Sequence, residues 1–168
     1  MAGATLNFDF SELDKFNKTL EKIGGEAPVR VATKAAKIGG RMIRARAAAT
    51  APVGETGELK SGIVLHLEKS RTKGKRVYDV QFDPGKNDIF QKPIKNPGEA
   101  GGKNPKAYYP ASMEYGFLTR SKGGGLDYVP GYHFMRRAAE DLDQSAKKTM
   151  MIAATDELEK EWLKKYGK

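Results

Sequence analysis

Cysteine is absent from the 168 residues. That excludes disulfide bracing and thiolate metal sites, and it fits a reducing compartment or an assembly made in one. Histidine is scarce: His66 and His133 are the only two, and neither has a second ligand at a useful spacing. No metal site is expected, and both read as structural. No apolar run approaches the length of a membrane span. MAGATLNFDFSELDKF at the N-terminus has no basic segment ahead of an apolar run, so no signal peptide is expected. Catalytic signatures are missing too. There is no GxSxG, and neither GGEAPVR nor GGRMIR runs into the GKS or GKT of a phosphate-binding loop. Glu114 is the one acid embedded among aromatics, in AYYPASMEYGF. It reads as an interface or structural residue rather than a general base. The expectation is a protein that is not an enzyme and needs no cofactor.

What the chain does have is positive charge in one place. The formal net charge is +9, and residues 26–76 hold 12 Lys and Arg against 4 Asp and Glu, which accounts for nearly all of the excess. Such a segment suits an anionic partner, either nucleic acid or an acidic protein face, and equally a solvated surface. Within it Arg30, Lys34, Lys37, Arg41 and Arg44 recur at helical spacing as an electrostatic stripe. KSRTKGKR follows as a second basic run, a nucleic-acid patch or a solvated hairpin tip.

Periodicity supplies the elements. LNFDF (Leu6–Phe10) alternates like a short strand. Ser11, with Asp14 three residues on, then reads as the N-cap of a helix carrying Leu13, Phe16, Leu20 and Ile23 and ended by Gly24-Gly25. Pro28 suits the first turn of a second helix over 28–50. Its apolar stripe of Val31, Ala35, Ile38, Met42, Ala45 and Ala49 alternates steps of four and three. Gly39-Gly40 costs about 1 kcal/mol per glycine in mid-helix, which a tight crossing, a kink or a hinge would offset, a crossing being favoured. Residues 62–70 and 76–83 alternate around RTKGK and predict an antiparallel hairpin. Residues 84–107, rich in Pro and Gly, predict a long loop, mobile in the free subunit and ordered against a neighbour. Ala107–Phe117 is a helix or a strand, and GGGLDYVPG is a loop. From His133 to Tyr166 there is no Pro or Gly, which predicts one helix of about 50 Å whose far end meets another subunit. The fold class is α+β: an antiparallel sheet with a central hairpin, packed by two helices, and a long C-terminal helix.

Three motifs stand in order: APVGETGELKSGI, YYPASMEYGF and PGYHFMRRAAEDL. Together they resemble the gene-product-ten-like neck, minor tail or tail-completion family of long-tailed bacteriophages over residues 28–145. The matching turn is Ala51, Pro52, Val53, Thr56, Gly57, Leu59 and Lys60. Glu114, Tyr115 and Gly116 match a Glu-aromatic-Gly motif, and Phe134, Arg136 and Ala138 a helix start. The chain departs in longer loops at 84–107 and 118–131, and in Arg137 where proline is common. The resemblance implies one domain: an arm (1–27), the family core (28–145) and a helix extension (146–168). It implies a structural virion protein, made in the bacterial cytoplasm, forming a homo-oligomeric ring of six or twelve copies between head and tail. Its partners would be head-closure or adaptor proteins, the tail terminator or tail tube protein, and DNA in the channel held non-specifically; no membrane is involved. Tyr108, Tyr109, Glu114, Tyr115, Gly116, Phe117, Tyr128, Tyr132, Phe134 and Arg136 are the interface candidates. The competing class is a basic nucleic-acid-binding protein with the Arg30–Arg44 stripe on phosphates.

Overall fold

The computed structural model describes residues 10–54, 56–69, 75–94, 105–121 and 123–167, with side chains from residue 15 onward. Two long helices make the frame. α2 (Ala27–Thr50) opens with Pro28, whose missing N–H costs nothing in a first turn. α6 (Phe134–Tyr166) runs back along it. Three pairings fix the antiparallel sense: Arg30 with Glu161, Gly39 against Met150, and Arg46 with Asp141. On each helix the covered row advances in steps of four. It is Ala27, Val31, Ala35, Gly39, Ile43 and Ala47 on α2, and Phe134, Ala138, Leu142, Ala146, Met150, Ala154 and Leu158 on α6. Such rows form the ridges that pack into a partner's grooves, and small residues bring the two backbones close. The four-and-three stripe therefore fails in its second half: Ala45 and Ala49 are exposed, while Ala47 and Ala51 are buried. An alanine-rich run offers apolar residues on several faces, and packing selects the row.

Gly39-Gly40 is a crossing point. A Cβ on Gly39 would strike Met150 of α6, and one on Gly40 would strike Leu65 of the first hairpin. At the far end, α1 (Phe10–Ile23) folds back through Gly24 and Gly25, both at positive φ. Its Phe16, Leu20 and Ile23 pack with Ala27, Val31, Ala154 and Leu158, so the far end of α6 meets α1 of its own chain. Ser11 lies inside α1 rather than capping it, and Phe10 is helical; residues 6–9 of the expected strand lie outside the described residues.

The expected hairpin is present but shorter. β1 (Ile63–Leu67) pairs antiparallel with β2 (Tyr78–Phe82), Ile63 opposite Phe82. Residues 58–62 are taken by a helical turn, α3 (Glu58–Ser61), which Gly62 closes. Ile63, Val80 and Phe82 join Ala47, Ala51, Leu59, Phe134 and Ala138 in the main core. The described strands make three separate two-stranded ribbons instead of one sheet.

The long-loop expectation for 84–107 is overturned where the segment is described. Asp83 accepts the Gly85 N–H at 2.8 Å and caps a 3₁₀ turn over Pro84–Lys86. α4 (Asn87–Phe90) follows, and β3 (Gln91–Pro93) pairs with β4 (Lys106–Tyr108). Phe90 is fully buried, edge-on to Phe82 and Tyr108 at 5.9 and 6.1 Å between centroids. One large ring supplies the burial that a count of apolar residues misses. Residues 95–104 lie outside the description.

Candidate functional site

The motif turn at Ala51 is a helix-to-hairpin corner. Pro52 forces its predecessor out of the helical region, and Ala51 accordingly sits at φ −60°, ψ 136° while its N–H still bonds Ala47 O at 2.8 Å. Gly57, at φ 65°, takes the left-handed conformation and starts α3. Leu59 and Ile63 then turn into the core. Lys86 Nζ reaches Glu58 Oε2 at 2.6 Å, holding the Glu58 carboxyl below its ordinary value through that hydrogen bond. Val53, Thr56 and Lys60 face solvent. Tyr109, Phe90 and the turn border an open pocket of about 320 Å³.

The second and third motifs meet each other. The segment Ala107–Phe117, left open between helix and strand, is helical in its middle as α5 (Tyr109–Tyr115) and strand at both ends. Glu114 is 3% exposed, and its two carboxylate oxygens accept the N–H groups of Met135 and Arg136 at 3.0 and 3.1 Å. Those amides belong to the first turn of α6, where helix geometry leaves donors unpaired and the dipole favours negative charge. Glu114 O also accepts the His133 N–H at 3.0 Å. Glu114 thus fastens α5 to the start of α6, and Phe134 is buried beside it. Tyr108 and Tyr109 are half-buried within the same subunit.

Gly116, at φ 90°, turns the chain out of α5. β5 (Gly116–Arg120) and β6 (Leu126–Pro130) then pair antiparallel, so the expected loop at 118–131 is a hairpin. Short stretches with aromatic, leucine and β-branched residues on either side of SKGGG carried that signal. Leu118, Arg120, Leu126 and Tyr128 share one face; Phe117, Thr119, Asp127 and Val129 share the other. Leu118 is 64%, Leu126 67% and Tyr128 59% exposed. Tyr115, Phe117 and Tyr132 are exposed as well, so the aromatic surface gathers around this ribbon.

A protein-family profile described as "Bacteriophage HK97-gp10, putative tail-component" matches residues 14–110, more than half of the chain. The chain belongs to the HK97-gp10-like family. The matched span takes in most of α1, all of α2, the corner and the first hairpin, and stops short of Glu114 and Phe134. No curated protein and no solved structure matches the chain. This HK97-gp10-like protein is a structural component of the phage tail and so of the virion. Among the described residues no helix is long and apolar enough to cross a membrane, and no group of three or more His, Asp or Glu is placed to hold a metal ion.

The basic stripe of this tail protein divides by function. Arg30 Nε donates to Glu161 Oε1 at 2.9 Å, which holds the Glu161 carboxyl below its ordinary value, and Lys34 lies 3.9 Å from Glu157. These two bind α2 to α6. Arg44 Nε donates to Ile63 O at 2.9 Å and ties α2 to β1. Lys37 and Arg41 are exposed. Arg136 is exposed and pairs with Glu140 along α6 at 3.0 Å.

Proposed function

We propose that this tail component is a neck protein whose copies form a ring joining head to tail around the DNA channel. The observation that carries the proposal is the β5–β6 ribbon, which leaves Leu118, Leu126 and Tyr128 exposed on one face and Phe117 and Val129 partly exposed on the other. An isolated two-stranded hairpin is marginal in water, and clustered exposed aromatics and leucines favour a contact with another protein. The ribbon does not resemble the rest of the surface, so copies joined ribbon to body make a head-to-tail contact. Such contacts close into rings when the rotation between neighbours permits. Six or twelve copies, with head-closure or adaptor proteins on one side and the tail terminator or tube protein on the other, accord with the family resemblance. Tyr115, Phe117, Tyr128, Tyr132 and Arg136 are the interface candidates at the surface. The work is assembly and sealing by complementary surfaces, without bond-making chemistry.

Leu118→Asp combined with Tyr128→Asp tests this. The variant is expected to keep its circular dichroism spectrum but to lose the ring in native mass measurement. Phage supplied only with it should accumulate separate heads and tails in electron micrographs. Joined particles formed in the complete absence of the protein would overturn the reading.

A further inference from the structure

Described cations from two stretches far apart in sequence, on α2 and at the first hairpin, lie at neighbouring levels of the fold. Arg44 bonds Ile63 O, and Gly40 abuts Leu65 and Tyr78. Strand residues 63 and 65 therefore sit level with helix residues 44 and 40. Two strand residues and four helix residues both advance about 6–7 Å. Residues 68–69 and 75–77, next along the hairpin, accordingly come level with the turn of α2 that holds Lys37. Lys69 and Lys75 are exposed there and Arg76 is half-buried, its Nη1 on Lys75 O at 2.8 Å. On α2, Lys37, Arg41 and Arg44 lie within about 60° of one another at 100° per residue. Glu68 and Asp79 are the acids of this hairpin end. Tyr78 faces α2, so strand alternation turns Asp79 to the other side of the hairpin, and the cations gathered on α2 and the hairpin end repel each other unless an anion lies on them.

We propose that this face, formed by α2 and the end of the first hairpin, contacts the phosphate backbone of duplex DNA. It rests on the neck reading for its setting, as the side of the subunit turned to the channel. Protein-binding surfaces are enriched in aromatics and poor in Lys, as the β5–β6 ribbon is; surfaces for DNA are polar and strongly positive. Leu67 is the one large apolar side chain exposed on this face among the described residues. A duplex carries one negative charge per about 1.7 Å of axis, so the roughly 10 Å from Lys37 to Arg44 spans about six phosphates. No base edge is read, which suits DNA that slides past in any sequence.

The test titrates purified protein into a short fluorescent duplex of arbitrary sequence between about 50 and 200 mM salt. The wild type is expected to bind, with affinity falling steeply as salt rises. Lys37→Glu with Arg41→Glu, and separately Lys69→Glu with Lys75→Glu, should each weaken binding at least about tenfold and reduce the salt slope by about 2. Lys148→Glu with Lys160→Glu, on the exposed side of α6, should leave binding within about twofold. Absence of binding at low salt, or an equal loss in all three variants, overturns the inference. Patch variants that bind DNA normally but fail to form rings assign the face to an acidic protein surface. That result overturns the inference and leaves the neck reading standing. Rings lost with DNA binding intact only in the ribbon variant would separate the two the other way.

Discussion

Glu114 illustrates how one side chain can join two elements. Its carboxylate is the acceptor for two first-turn amides of α6, and burial removes water as a substitute. Glu114→Ala is therefore expected to destabilise the subunit by about 1–3 kcal/mol, the penalty of buried donors left without partners. Glu114→Gln keeps one acceptor oxygen but sets an NH2 donor against the second amide, so it should recover only part of that loss. Urea unfolding of the two variants checks the order, and equal losses would mean that the start of α6 needs the whole carboxylate and gains nothing from retained volume or a single retained oxygen. Sequence placed Glu114 among aromatics but did not reveal this role. Its partners are backbone amides, and those carry no residue identity.

At the scale of elements, the Gly39-Gly40 pair sets how near α6 and the first hairpin come to α2. Gly40→Val would drive a branched side chain into Leu65 and Tyr78 and should cost about 1–3 kcal/mol by overpacking. Thermal unfolding measures it; an unchanged midpoint would mean that the hairpin rides loosely on the helix. Both long helices and the β1–β2 hairpin were legible because each buries one face and so imprints its period on the chain. The corner was legible from Pro52 and Gly57, residues chosen by backbone angle. β5 and β6 face no core of their own subunit, so the adjacent pairs Phe117-Leu118 and Tyr128-Val129 give no period of two, and the glycines between the strands read as a loop. α4 was hidden because a single residue, Phe90, holds it. The switch of α2 to a strict step of four was hidden in a run with alanine on every side.

The whole molecule is held at two ends. One cluster surrounds Ala27 and Leu158, the other Ala47, Ile63 and Phe134, with ion pairs between the helices. This gives a prediction for acid stability. Glu161 and Glu58 are both held below their ordinary values, by hydrogen bonds from Arg30 and Lys86. The folded state therefore takes up these protons less readily than the unfolded chain. Their contribution is fully present above the unfolded carboxyl range, near pH 4–5, and is lost as pH falls through the lower folded values. The double variant Glu58→Gln with Glu161→Gln should melt below the wild type at about pH 7, and the two curves should converge in acid. Melts followed by circular dichroism across that range decide it; a constant gap would mean that the pairs act through packing alone. The bend at Gly116 carries a different consequence. If neighbouring copies are joined through the ribbon, the direction in which Gly116 sends it off the body sets the tilt from one copy to the next. That tilt is the curvature of the assembly. A small change of backbone angle at this one glycine would then alter how many copies complete the circle, and so the width of the opening at its centre.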